Sequence, residues 1–438
     1  MISALDSKIS SSTFSDPDVA DLFSDDAEVR ALIKVEQELA RVQEALAIIP
    51  KGYGEQIVSV LETVKIEPAL LESGYAKDGI LIPALLTLLR ERIDQPAADY
   101  LHFGATSQDI LDTALIFRTK SAVELIANNL DTLIKALGEL ACEHKTTLVL
   151  GRTRNQNAAP LVFGLKVVNW LAPLQRQRQR LRELLPRLLV VQFGGAVGTN
   201  AALGMAGPRV KQALADALGL FVTDSSWHNQ RDSIVEFGNW LSLTSGLVGK
   251  IAKDVLLMAQ SEVGEITFSD MGKSSTMPNK SNPVLAEVLI SLANYCRNQA
   301  HLLTQCIEAS HERDGVSMNV EGLAFPQLVC AAAAAIVNGI NCINGMRVNE
   351  KIMYENLEAD NGMVLAEAAV FELSRTKSKA EASRLVAEAC AKTIGKNVHM
   401  VDELEKLTNA DIDWEALKRP ENYLGSAAEI IKTVLRGI

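Results

Sequence analysis

The sequence predicts an all-α protein built around a central bundle of long helices. Three observations carry that expectation. First, the 13 prolines are spread unevenly, and none falls in 97–159, 209–277 or 327–419. An interior proline removes a helical hydrogen bond and clashes with the preceding turn, so such gaps mark where long helices fit. Second, apolar residues recur at helical spacing in three stretches. They are Val123, Ile126, Leu130, Leu133, Leu137 and Leu140; Phe237, Leu241, Thr244, Val248, Ile251, Val255 and Met258; and Leu285, Val288, Leu292, Tyr295, Gln299, Leu302 and Cys306. Steps of three and four place each set on one stripe, which is buried against neighbouring helices. Third, alternating β-branched runs are missing. Only Val190–Phe193 and the glycines after it read as a short extended piece.

The elements divide the chain into three domains. Residues 1–110 mix short helices with turns. Residues 111–345 hold the long seams. Residues 346–438 form shorter helices, punctuated at Asn349, Asn361–Gly362, Asn409 and Pro420. The Gln/Arg alternation over Gln175–Arg182 reads as a solvated helix face.

Composition narrows the function. In 438 residues, 48% are hydrophobic and 22% charged, an ordinary globular balance. The net charge of −11 argues against nucleic-acid binding, which needs a basic footprint. An acidic small-molecule substrate remains compatible, because a few focused cations sit well inside a negative shell. Leu328–Ile343 is Ala-rich and broken by Asn338 and Asn341, and so reads as a buried helix rather than a membrane span. The first residues lack the basic-then-apolar layout of a secretory signal. The six cysteines show no CxxC or metal-like spacing and read as buried thiols of a cytoplasmic protein.

Three polar segments interrupt the helices. In His102–Asp109, Thr106 or Ser107 is placed to cap a helix starting near Asp109, and a capped N-terminus doubles as a carboxylate seat. Gly151–Pro160 is polar and cationic and reads as a loop before a helix opened by Pro160. Gly264–Pro283 is longer than an ordinary connector. It offers hydroxyls, one lysine and amide donors in Ser274-Ser275-Thr276-Met277-Pro278-Asn279-Lys280-Ser281-Asn282-Pro283.

That last string resembles the signature S-S-x-M-P-x-K-x-N-P of the fumarase/aspartase superfamily. The T-S-x-D and G-x-T-x-x-Q-x-A-x-P segments precede it in the same order. Within the superfamily, the bacterial 3-carboxy-cis,cis-muconate cycloisomerases are most similar, through GATSQD, VVQFGGAVG, Trp227-His228, Gln230-Arg231-Asp232 and His311-Glu312-Arg313. The resemblance implies a three-domain fumarase/aspartase-like fold and a homotetramer whose active sites draw on three chains. It implies addition or elimination β to a carboxylate of a small polycarboxylate, with no cofactor and no metal. Carried over residue by residue, Ser274 abstracts the proton, while Lys280 and Asn282 bind the substrate carboxylate. Thr106, Ser107, Gln156, Asn157 and Ser275 line the pocket, and Arg231 and Arg313 are further anion contacts. A C–N or C–O lyase releasing fumarate or a substituted fumarate is the alternative, and a non-catalytic scaffold a third reading.

The chain departs from the pattern at several positions. Lys273 stands where glycine is usual, Asn157 and Asn279 where histidine is expected, Ser281 where arginine is expected, and Asn319 in place of a further histidine. Asparagine keeps hydrogen bonding but carries no proton or charge at neutral pH. With no histidine in the loop, Ser274 is the expected base, and Met271–Ser275, hinged at Gly272, is expected to close over substrate.

Overall fold

The computed structural model describes residues 3–268, 272, 276, 277 and 280–437. The fold is all-α. Helix α1 (Asp25–Ala45) is followed by α2 (Ser107–Glu143), α3 (Phe163–Leu188), α4 (Asp232–Met258), α5 (Val284–Thr304) and α6 (Gly315–Gly345), with shorter helices before, between and after them. Among the described residues, strands form two small antiparallel sheets, β1 (Leu148–Thr153) with β2 (Gln156–Val162), and β3 (Ile266–Phe268) with β4 (Met346–Val348).

The seams behave as helix stripes. On α2, Val123, Ile126, Leu130, Leu133 and Leu137 are buried, and on α4 all seven seam residues are. Burying a Leu, Ile, Val or Phe side chain fully is worth about 1.5–3 kcal/mol, so each stripe stabilises its helix far more than propensity does. On α5 the stripe rotates. Leu285, Val288 and Leu292 are buried as expected, as is Cys306 just past the helix end, but between them Cys296, Ala300 and Leu303 carry the buried face, while Tyr295, Gln299 and Leu302 are partly exposed. An α-helix drifts relative to a strict seven-residue repeat, and here the drift moves burial one residue along.

Proline marks the helix ends less sharply than expected. Pro326 lies inside α6, which begins eleven residues earlier, and α3 passes through Pro173. Helix α6 is also long and apolar enough to cross a membrane, yet 72% of its most apolar window is buried inside the protein.

The chain forms two compact units. Unit 1 comprises Met1–Leu130, Gln177–Gly246 and Ser291–Val337; unit 2 comprises Asp131–Arg176, Leu247–Ile290 and Asn338–Ile438. In unit 1, α1 starts on Ser24, whose Oγ accepts from Ala27 N, and Asp25, Asp26 and Glu28 complement the dipole of its first turn. The Val190–Phe193 piece is extended and bridges to Phe221. In unit 2 a core of Leu150, Leu357, Leu365, Leu373, Leu385, Met400 and Leu404 knits the β1–β2 hairpin to the C-terminal short helices.

Candidate active site

The expected site residues fall into two groups. Thr106, Ser107, Arg231 and Arg313 belong to unit 1; Gln156, Asn157, Lys280 and Asn282 belong to unit 2. Ser274, Ser275 and Asn279, with the 271 and 273 positions of the expected lid, lie outside the described residues.

In unit 1 the site is organised by the start of α2. Thr106 is the residue before the helix, and Asp109 is its third residue. The Asp109 carboxylate accepts from Thr106 N at 3.0 Å, closing the returning half of a capping box. The same carboxylate accepts from Gly194 N and Gly195 N at 2.9 Å, from Gln192 Nε2 at 3.2 Å and from His228 Nε2 at 2.8 Å. Burial by itself would raise this carboxyl. The His228 contact and the backbone donors outweigh it and hold the group below its ordinary value. Gly195 has φ +68, and a Cβ on Gly194 would sit 2.8 Å from Ser226 Oγ, so the two glycines let their N–H groups turn onto Asp109.

His228 is buried and held at both ring nitrogens, by Asp109 and by Ser226 Oγ at 3.0 Å. His102 is likewise committed, its Nδ1 2.5 Å from Glu36 Oε1. Both histidines therefore have partners within unit 1. His311 has a left-handed backbone (φ 54) and accepts a hydrogen bond on its carbonyl from Asn229.

The two expected arginine contacts part company. Arg313 is exposed, and its Nη2 donates to Thr106 Oγ1 and to Ala196 O, both at 2.9 Å. It brings a cation to the cap of α2 and to the glycine loop. Arg231, by contrast, is 3% exposed. Its fork donates to Asp112 at 3.0 Å and to Glu321 at 2.8 Å through Nε. With both carboxylates bound, this guanidinium is an internal ion-pair residue, because a buried cation needs paired counter-charges. The site expected at Arg231 is thus occupied by the protein's own acids.

In unit 2 the segment expected to be a loop, Gly151–Pro160, is the tip of the β1–β2 hairpin. Pro160 sits in β2, and the helix opens at Phe163 instead. Arg154 and Asn155 turn the chain with φ 51 and 63, the two left-handed residues of a two-residue hairpin turn. Gln156 and Asn157 emerge just after it, both exposed. Asn157 Nδ2 donates to Asp360 Oδ1 at 3.0 Å, and Gln156 Nε2 to Asn155 O at 3.1 Å. The hairpin is clamped by Arg152, whose fork meets Glu265 at 2.7 and 3.0 Å; Glu265 is fully buried and also accepts from Asn356 at 3.1 Å. Glu265 lies immediately before β3, so the clamp ties the hairpin to the entry of the 269–283 segment.

At the exit of that segment, Asn282 N donates to Gly272 O at 2.9 Å. Gly272 has φ +73, and a Cβ there would meet Asn282 O at 2.1 Å. Only glycine fits this closure. Ser281 Oγ donates to Phe268 O at 2.7 Å, and Lys280 is exposed. Sequence reasoning missed Asp109, Gly194, Gly195 and the Arg152–Glu265 clamp. The T-x-x-D spacing at 106–109 was the available signal for the first.

An anion-compatible helix start, with Arg313 at its cap, and a glycine-closed loop carrying Lys280 and Asn282 are thus built by the segments that carry the superfamily strings. A family described as Lyase matches residues 22–296. Over 425 residues the chain is 35% identical to the 3-carboxy-cis,cis-muconate cycloisomerase of Pseudomonas aeruginosa, covering 94% of this chain and 93% of that one. It is 32% identical to the N-acetyl-S-(2-succino)cysteine lyase of Dickeya dadantii, covering 97% and 95%. It superposes on the crystal structure of the 3-carboxy-cis,cis-muconate lactonizing enzyme of Pseudomonas putida with a TM-score of 0.90 at 32% identity, covering 97% of each chain. Sequence strings, helical architecture and full-length similarity agree, and the chain belongs to the fumarase/aspartase superfamily of lyases.

Proposed function

We propose that the chain is a cofactor-independent cycloisomerase acting β to a carboxylate, on 3-carboxy-cis,cis-muconate or a close analogue, in cytoplasmic aromatic-compound catabolism. The observation that carries this reading is the string at 274–283, with its paired serines, Lys280 and Asn282. In the lactonising direction, a substrate carboxylate oxygen bonds to the β carbon and a proton is delivered to the carbon next to the other carboxylate. In reverse, Ser274 takes that proton, the C–O bond breaks, and its electrons leave on the internal carboxylate.

Proton removal beside an ionised carboxylate puts a second negative charge on that group. One preorganised donor aimed at such charge is worth about 3–4 kcal/mol, and Lys280 and the Asn282 amide take that role. A serine is a weak base until its oxyanion is stabilised, which gives Lys280 a second task. Arg313 at the cap of α2 supports a further carboxylate contact. The reading includes a homotetramer in which Thr106 and Ser107, Gln156 and Asn157, and the 274–283 segment of different chains meet.

A second reading is a C–N or C–O lyase releasing fumarate or a substituted fumarate. It is favoured by Asn157, which hydrogen-bonds the Asp360 carboxylate where histidine is expected, and by Ser281, which is satisfied by Phe268 O where arginine is expected. Fewer cations suit a substrate with less negative charge. Incubation with 3-carboxymuconate, and separately with fumarate plus a panel of amines, while following the ultraviolet absorbance of the conjugated double bonds, decides between them. Turnover of muconate establishes the first reading; loss of fumarate absorbance with an amine establishes the second; no change in either rejects both.

A further inference from the structure

Hydrogen bonds join the start of α2 to the glycine loop, to the Trp227–Arg231 stretch that leads into α4, and to residues 309–314 that lead into α6. These pieces are not equally fixed. Trp227 N donates to Gln192 Oε1 at 2.7 Å and its indole to Val191 O at 3.1 Å. The His228 ring is held at both nitrogens, and its carbonyl accepts from Gln108 Nε2 at 2.8 Å. Arg231 is gripped by Asp112 and Glu321. Trp227, His228 and Arg231 are all buried, so the backbone that carries Asn229 between them has little freedom.

Residues 311–313 are exposed, and Arg313 reaches Thr106 Oγ1 and Ala196 O through Nη2. Keeping so flexible a side chain in one place costs rotamer freedom. His311, two residues before it, adopts φ 54, a conformation that residues other than glycine take only when their surroundings impose it. Asn229 Nδ2 donates to the carbonyl of that residue. Among the described residues, no other hydrogen bond from outside 309–314 reaches residues 309–312. The Asn229 amide is therefore an arm on a rigid base that holds an exposed, strained turn.

We infer that Asn229 is a positioning residue for Arg313. Its amide keeps the left-handed turn at His311 closed, and that turn carries Arg313 back onto the cap of α2. The inference rests on the reading of Arg313 as a contact for a substrate carboxylate. Without the amide the cation is still present but is no longer aimed, and misplacement by about an ångström costs more than the contact count suggests.

The test is a double-mutant cycle on kcat/KM, with 3-carboxymuconate or with fumarate and an amine, whichever the chain turns over. Arg313→Ala should lower kcat/KM about tenfold or more, as loss of a hydrogen bond to a charged group does. Asn229→Ala should lower it about fivefold, through KM, with kcat within about twofold. Asn229→Asp, which keeps the shape and removes the donor, should do the same. Added to Arg313→Ala, Asn229→Ala should cost less than about twofold further, because the arm then has no cation to place. In the free protein, hydrogen exchange of 309–314 should quicken in both Asn229 variants while the urea midpoint holds. Normal kinetics of Asn229→Ala beside an impaired Arg313→Ala, or its full effect in the Arg313→Ala background, would overturn this inference alone. Normal kinetics of Arg313→Ala would overturn the carboxylate contact and the inference with it. Unchanged hydrogen exchange of 309–314 in both variants would overturn the inference with no substrate needed.

Discussion

Asp109 keeps its negative charge in a buried position because the donors around it are oriented before any substrate arrives. Replacing it by Asn puts an N–H₂ group among N–H donors and should destabilise the protein by about 3 kcal/mol or more, read as a lower urea midpoint. The sign with pH follows from its lowered pKa. The stability it contributes is complete above the unfolded-state value near 4 and is lost as pH falls through the folded value. Asp112 behaves oppositely. Burial comes first and pushes its carboxyl up to about 6, against Arg231. Between about pH 6 and pH 4 the folded state therefore holds a proton that the unfolded state has released, so folding gains as pH drops. Relative to Asp112→Asn, the wild type should gain about 1 kcal/mol between pH 7 and pH 5, measured by urea unfolding at each pH. At the proposed base, Ser274→Ala should lower kcat by at least about two decades with KM little changed, as steady-state kinetics on the true substrate would read. Near-full turnover would remove serine from the mechanism. The cap was legible as Thr106 or Ser107, because a hydroxyl residue just before a helix is a local code. The partners of Asp109, Gly194, Gly195 and His228, come from 85 to 119 residues away, and no local pattern announces a contact at that distance.

The long helices were legible because burial imposes a periodicity that survives without any knowledge of neighbours. The β1–β2 hairpin was not. Its turn is Arg154-Asn155 rather than the Asn-Gly that advertises two left-handed residues, and Pro160 suggested a helix start where the chain is still extended. An arginine at positive φ is strained, so Arg154→Asn with Asn155→Gly should raise stability by about 0.5–1 kcal/mol in chemical denaturation. Gly272 was singled out as a hinge. Its described role is narrower: it is a tight crossing under Asn282 at a backbone angle that disfavours other residues. Gly272→Ala should lower kcat/KM at least about tenfold, since displacing Asn282 by even an ångström disturbs the carboxylate seat, while circular dichroism retains the native helix signal.

The seams account for the helical class of the whole chain, but they do not use up its apolar surface. Leu243 and Leu257 on α4 and Leu323 on α6 are 48%, 49% and 63% exposed in the single chain. Stripes of this kind signal association, and light scattering at micromolar concentration should return about 190 kDa, four chains of 47.5 kDa. A single-chain mass would reject the shared-site arrangement.

The two compact units are interleaved along the sequence, and this bears on how the protein is made. Unit 1 needs residues up to Val337, and unit 2 needs the last helices. A ribosome adding about 5–20 residues per second leaves the apolar first half of α2 outside the exit tunnel for about 10–50 s before the 291–337 partners emerge. Until residue 337 has emerged neither unit holds all of its segments, so folding is expected late in synthesis, with the nascent chain a substrate for chaperones that hold apolar stripes. Ribosome-arrested chains ending near residue 300 should remain protease-sensitive throughout, and depletion of such chaperones should lower yield without changing the melting temperature of the protein that survives.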